Sequence, residues 1–187
     1  MSFRISSPLI ALAKIDAFFL LQKIYSELFI PTEVYNEVVI GGAGLAGAIE
    51  TSESQWIHVR PIKNAVDLTA SQARFGLGAG ELSTLILAKE LRADLIILDD
   101  LRARKLAQRE GFRVQGCIAI LEASFRKGYL SDLRQAYDQM TKRGVYLNRE
   151  LINLSLNRLT CRCCKTAGGQ FSFRRWCLKR ALIIFSN

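Results

Sequence analysis

Leu95-Ile96-Ile97-Leu98-Asp99-Asp100, continuing as Leu101-Arg102-Ala103-Arg104-Lys105, decides the fold class of this chain. An apolar run bounded by Asp94 and Asp99 reads as a strand buried on both faces. The next dozen residues have a helical pattern, so the unit is strand, turn, helix. In open α/β sheets the carboxyl ends of the strands are where ligands bind. Two adjacent carboxylates at such a place repel each other and lose solvation unless a cation or a basic partner neutralises them. One reading is therefore a site for magnesium or manganese. The other is structural: Asp99 or Asp100 caps the helix expected over 101–110.

Outward from this unit the chain keeps alternating. Upstream, Gly76-Leu-Gly78-Ala-Gly80 leads into a helix expected over 81–91, which places Glu81 in a first turn where the helix dipole favours an acid. Downstream come a short strand over 112–116 and amphipathic helices over 118–126, 131–142 and 148–159. Nearer the beginning, a short strand from Ile5 turns at Ser6-Ser7-Pro8 into one or two short helices. A strand over 28–30 and a helix from Pro31 to Val39 follow, then a Gly- and Ala-rich connection over 41–53. Gly41-Gly-Ala-Gly44 has the glycines of a phosphate loop without its lysine or its strand-to-helix setting, so no nucleotide site is expected there. The strand over 56–59 carries the only histidine, His58, read as structural, and a short helix is expected over 68–75. Strands alternating with helices argue for an α/β fold with a central, mostly parallel sheet and helices on both faces.

The 187 residues suffice for one domain with a substantial core, and half of them are apolar. No apolar run reaches the ~18 residues of a membrane span, and the beginning of the chain lacks a signal-peptide pattern, so a cytoplasmic protein is expected. Charge is unevenly spread. Residues 160–187 hold six Lys and Arg and no acid, so they supply +6 of the net +9 and leave the body at +3. A basic, Cys-rich, poorly ordered tail over 160–187 is expected to follow a domain over 1–159. Cys117 reads as a small buried apolar residue, whereas Cys161, Cys163, Cys164 and Cys177 lack the paired spacing and the histidine of a zinc knuckle.

Taken in order, several pieces resemble the PIN-domain family, specifically its VapC-like prokaryotic ribonuclease toxins and their uncharacterised relatives. The pieces are Ser6-Ser-Pro-Leu-Ile-Ala-Leu-Ala-Lys-Ile15, Ile30-Pro-Thr-Glu-Val-Tyr-Asn-Glu-Val39, Gly80-Glu81, Ala93 to Arg104, and Gly111-Phe-Arg-Val-Gln-Gly116. The resemblance implies a three-layer α/β/α PIN-like fold and metal-dependent cleavage of RNA. It implies that Glu37, Glu81 and Asp99 or Asp100 supply carboxylates to one or two Mg²⁺ or Mn²⁺ ions, with the register between the two aspartates open. Arg102, Arg104 and Lys105 are then candidate phosphate contacts, and Arg109 and Arg113 fit a solvated helix face at least as well. The partners implied are RNA and a small antitoxin protein, a homodimer is compatible with the resemblance, and no membrane is involved.

Two positions depart from the family pattern. Ile5 stands where the first metal-binding Asp belongs, with Ser6 and Ser7 able to support a water but not to supply charge; Gly78 replaces an acid that many relatives carry. An impaired nuclease is one expectation, and a PIN-fold module that binds nucleic acid or a partner without cutting is its alternative.

Overall fold

A computed structural model describes residues 8–63, 68, 72–160 and 181–183. Strands β1 (Leu28–Pro31), β2 (Ile57–Arg60), β3 (Leu95–Ile97), β4 (Arg113–Gln115) and β5 (Ala181–Ile183) form one sheet in the order β2-β1-β5-β3-β4. Every pairing in it is parallel. The helices are α1 (Pro8–Ala13), α2 (Phe19–Ile24), α3 (Thr32–Tyr35), α4 (Ala48–Glu53), α5 (Ala79–Leu91), α6 (Leu101–Arg109), α7 (Cys117–Arg126), α8 (Leu133–Lys142) and α9 (Arg149–Thr160). Helix α3 runs directly into a π-helical turn, Asn36–Ile40.

Strand periodicity explains the layers. Successive side chains point to opposite faces, so Leu28, Ile30, Leu95 and Ile97 join one core with Leu9, Leu12 and Leu21 from the N-terminal helices and Ile120, Tyr137 and Met140 from α7 and α8. The intervening Phe29, Ile96 and Val114 meet the opposite core of Leu82, Leu85, Ala103 and Ala107, from α5 and α6. A sheet covered this way needs apolar residues at every position of its inner strands, which is the pattern that Leu95–Ile97 displays. The fold is the three-layer, parallel-sheet α/β arrangement expected from the sequence. Among the described residues, no helix is long and apolar enough to cross a membrane.

Several local expectations change. Pro31 ends β1 in extended backbone and precedes α3, so the helix begins at Thr32 rather than at the proline. The stretch over 41–53 is not all connection, because Ala48–Glu53 is helical and Glu50 Oε2 accepts the Gly47 N–H at 3.0 Å, closing its first turn. The region expected as a helix over 68–75 is helical at Leu68 and over 72–75, and the rest of it lies outside the described residues. So does the strand expected from Ile5. The largest difference is β5. The sequence reading set 160–187 apart from the domain, yet Ala181–Ile183 lies within the sheet, between β1 and β3.

Candidate functional site

Glu81 occupies the third position of α5, and its Oε2 accepts the N–H of Gly78 at 2.9 Å. That bond closes the helix's first turn and pins the side chain, which is only 4 % exposed. Burial lifts the carboxyl from 4.5 to about 7; repulsion from Asp100 and Glu37 adds to the rise, and the Gly78 bond and the Arg102 guanidinium oppose it. Asp100 and Glu37 therefore lie within electrostatic reach of Glu81, across sequence separations of tens of residues.

Glu37 arrives from the π-helical turn that follows β1. Its residue is exposed overall, and partial burial of the carboxyl raises its pKa. The turn closes with the Gly41 N–H on the Asn36 carbonyl at 2.7 Å. Just beyond it, a Cβ on Gly42 would stand 2.2 Å from the Val38 carbonyl oxygen, so only glycine lets the chain leave the turn along this path. Single π turns of this kind recur at functional sites because they re-aim side chains within a helix. Glu33, four residues earlier and absent from the sequence reading, holds a buried Oε2 without a hydrogen-bond partner.

The two adjacent aspartates separate in role. Asp100 caps α6, its Oδ1 accepting the Ala103 N–H at 2.8 Å, and it acts electrostatically on Glu81. Asp99 turns instead to the start of α7. Its Oδ1 accepts the Cys117 N–H at 2.9 Å and its Oδ2 accepts the Cys117 thiol at 2.7 Å. Burial raises the Asp99 carboxyl, and the Cys117 bonds and Arg104 counter it. Burial likewise pushes the Cys117 thiol up, with Asp99 adding to the effect, so the thiol stays protonated and donates. A Cβ on Gly116 would lie 2.5 Å from Asp99 Oδ1 and 2.8 Å from Arg104 Nη1, so a bare backbone at 116 is what lets these groups meet. Each Asp99 oxygen thus accepts one bond from Cys117, whereas Asp100 and Glu37 are the acids that act on Glu81; Cys117, expected as a small apolar residue, is a hydrogen-bonding partner as well. The signal lay in Gly116-Cys117, 18 residues beyond Asp99, where a sequence reading has no cue to direction.

The basic residues sort similarly. Arg104 is half-buried, its Nη1 beside Gly116 and its charge acting on Asp99, and it lines the groove on that side of α6. Arg102, Lys105 and Arg109 recur at helical spacing along α6 and, with Phe75 and Leu77, line one open cavity of about 240 Å³. Arg102 reaches both this cavity and Glu81. Lys105 also borders a larger groove of about 520 Å³ on the other side of α6, where Leu101, Tyr146, Leu151 and Leu154 are exposed. His58 lies on edge strand β2, its ring 5.1 Å from that of Phe29 and its Nε2 4.0 Å from Glu27.

Carboxylates are hard oxygen donors, and Glu81, whose proton affinity Asp100 and Glu37 both raise, makes with them a donor set of the kind that a divalent cation neutralises. In that chemical sense Glu37, Glu81 and Asp100 fit Mg²⁺ or Mn²⁺. Among the described residues, no three His, Cys, Asp or Glu side chains stand close enough together to hold an ion as they are. Ile5, Ser6, Ser7 and the four cysteines beyond position 160 lie outside the described residues. A family model described as a PIN domain matches residues 5–160. Neither the curated proteins nor the solved structures contain a match.

Proposed function

The chain belongs to the PIN-domain family, and from that premise we propose that it is a divalent-metal-dependent ribonuclease, the toxin of a toxin–antitoxin pair acting in the cytoplasm. The observation that carries the reading is the Glu81 carboxyl, nearly buried, lifted to about 7 and crowded by Glu37 and Asp100. A structural acid at a helix start needs no such neighbours, whereas a cation site does. Glu37, Glu81 and Asp100 would hold Mg²⁺ or Mn²⁺. The chemistry such an ion supplies when bound is polarisation of the scissile phosphodiester and activation of a water.

The remaining steps belong to the chain itself. Glu81, whose carboxyl burial and the neighbouring acids hold protonated near neutral pH, would give up its proton to a cation bound there, whose charge offsets both effects. Asp100 stays oriented through the Ala103 bond, so its direction is set before any ligand arrives. Arg102, which acts on Glu81, begins a row of cations that continues along α6 through Lys105 and Arg109 and suits RNA phosphates. Arg104 is not part of that row. The antitoxin partner and a homodimer rest on family membership alone.

Ile5, standing where the family pattern has an acid, favours a second reading: a PIN fold that binds RNA or a protein partner without cutting. Incubating purified chain with a structured RNA in Mg²⁺ or Mn²⁺ separates the two. The nuclease reading expects cleavage that is weak in Mg²⁺, stronger in Mn²⁺, raised by Ile5→Asp and lost in Asp100→Asn. Binding of RNA with no cleavage by either wild type or Ile5→Asp would overturn it in favour of the binding module.

A further inference from the structure

Phe75 ends the helical turn over 72–75, in the stretch Gln72-Ala-Arg-Phe-Gly-Leu77. The Gly76 N–H closes that turn on the Gln72 carbonyl at 2.9 Å, and Leu77 just beyond it joins the core beneath α5 and α6. The two apolar residues part there: Leu77 is 9 % exposed, whereas Phe75 keeps 38 % of its surface open. A single exposed apolar side chain needs no explanation by itself. The surroundings of this one do.

The Arg74 guanidinium stands over the Phe75 ring, 5.1 Å from its centroid. Across from it on α6, the exposed Arg102, Lys105 and Arg109 fall at i, i+3 and i+7, which is one face of a helix. They run along about 10 Å of its axis at ~1.5 Å per residue. With Phe75 they line the cavity of about 240 Å³, over an apolar floor of Leu77 and Leu106. Among the described residues that line it, three are cations and none is an acid. That charge selects a polyanion.

The ring selects further. Proteins that hold single strands combine a cationic track with aromatic side chains on which successive bases stack. A duplex keeps its bases inside its own stack and has no face to offer. The cavity is smaller than the ~300–1,000 Å³ of a site that encloses a whole small-molecule ligand, and it suits one flat ring entering from solvent. Arg102 ties this place to the acids, since it borders the cavity and acts on Glu81.

We propose that Phe75 is a stacking platform for one unpaired base of an RNA strand whose neighbouring phosphates lie on Arg102, Lys105 and Arg109. This rests on the nucleic-acid reading given above and adds to it that the strand is single where it crosses α6. The base is held by its face, so the platform tolerates any sequence.

Fluorescence anisotropy on the full chain in EDTA, where nothing is cut, is the test. The probes have equal length: an oligouridylate, its duplex with oligoadenylate, and a ribose-phosphate strand without bases. Wild type is expected to prefer the oligouridylate to the duplex and to bind it roughly tenfold more tightly than the base-free strand. Phe75→Leu, an apolar change at a part-exposed position, is expected to lose that tenfold while holding the base-free strand within about twofold of wild type. Phe75→Trp is expected to restore the loss, and Lys105→Ala to weaken both single strands alike. A 2-aminopurine in the oligouridylate is expected to be quenched on binding wild type and not on binding Phe75→Leu. Equal binding of the oligouridylate by wild type and Phe75→Leu, an equal loss toward the base-free strand, or a preference for the duplex would each overturn the proposal. Base-dependent binding through Phe75 in a chain that cuts no RNA in Mn²⁺ would leave the platform standing and refute the nuclease reading. Cleavage in Mn²⁺ with an unchanged KM in Phe75→Leu would do the reverse.

Discussion

Glu81→Gln is expected to stabilise the metal-free protein above neutral pH while abolishing its response to metal. In the folded chain the Glu81 carboxyl titrates near 7 instead of 4.5. A carboxyl raised in this way binds its proton more tightly when folded. Its contribution to stability is therefore complete below about pH 4.5 and is lost as the pH rises through about 7. The whole displacement corresponds to about 3 kcal/mol at ~1.4 kcal/mol per pH unit, and solvent screening around a carboxyl at the mouth of a site reduces this to about 1–2 kcal/mol. Glutamine keeps the shape and an oxygen to accept the Gly78 N–H, and it carries no charge for Glu37 and Asp100 to repel. Thermal unfolding in EDTA is expected to give a midpoint roughly 2–6 °C higher for the variant at pH 8 and the same midpoint within error at pH 5. Saturating Mn²⁺ at pH 8 is expected to stabilise wild type and leave the variant unmoved. A variant less stable than wild type at pH 8, or a gap of equal size at both pH values, would refute the electrostatic reasoning.

Asp99→Ala removes two bonds to Cys117 and leaves Arg104 without its acid; it is expected to cost about 2–3 kcal/mol by chemical denaturation while sparing cleavage per folded molecule. Gly116→Ala drives a Cβ toward Asp99 Oδ1 and Arg104 Nη1 and is expected to lose on the order of 2 kcal/mol in the same assay. Lys105→Ala, on the exposed row of α6, is expected to weaken RNA binding similarly for all sequences and to lower the slope of affinity against salt by about one, read by fluorescence anisotropy across a salt series.

Local chemistry announced much of this in the sequence. The unbroken Leu95-Ile-Ile-Leu run marked a strand covered on both faces, and the Asp100 cap with small Ala103 and Ala107 marked the helix lying over it. What stayed hidden depended on distant partners. Choosing between Asp99 and Asp100 required knowing that the Gly116-Cys117 backbone comes close enough to take up one of them. Glu33 and Glu37 sit four apart, the spacing of one α-helical face, but Glu37 lies in a π-helical turn that the sequence pattern does not announce. Helix α4 hid in a Gly- and Ala-rich stretch whose composition signals a turn. Strand β5 was least legible, because its apolar run is short, its surroundings are basic and rich in cysteine, and both its partners lie far back in the chain.

Mn²⁺ titration followed by electron paramagnetic resonance, in which free ion gives signal and bound ion does not, tests the acidic site most directly. Wild type and Asp99→Ala, each verified as folded, are expected to take up Mn²⁺ with similar affinity and to release a proton from Glu81 as they do so. Glu37→Gln, Glu81→Gln and Asp100→Asn are each expected to lose at least tenfold in affinity. Uptake that survives all three substitutions, or that vanishes only with Asp99→Ala, would contradict the assignment of Glu37, Glu81 and Asp100 as the cation-binding group.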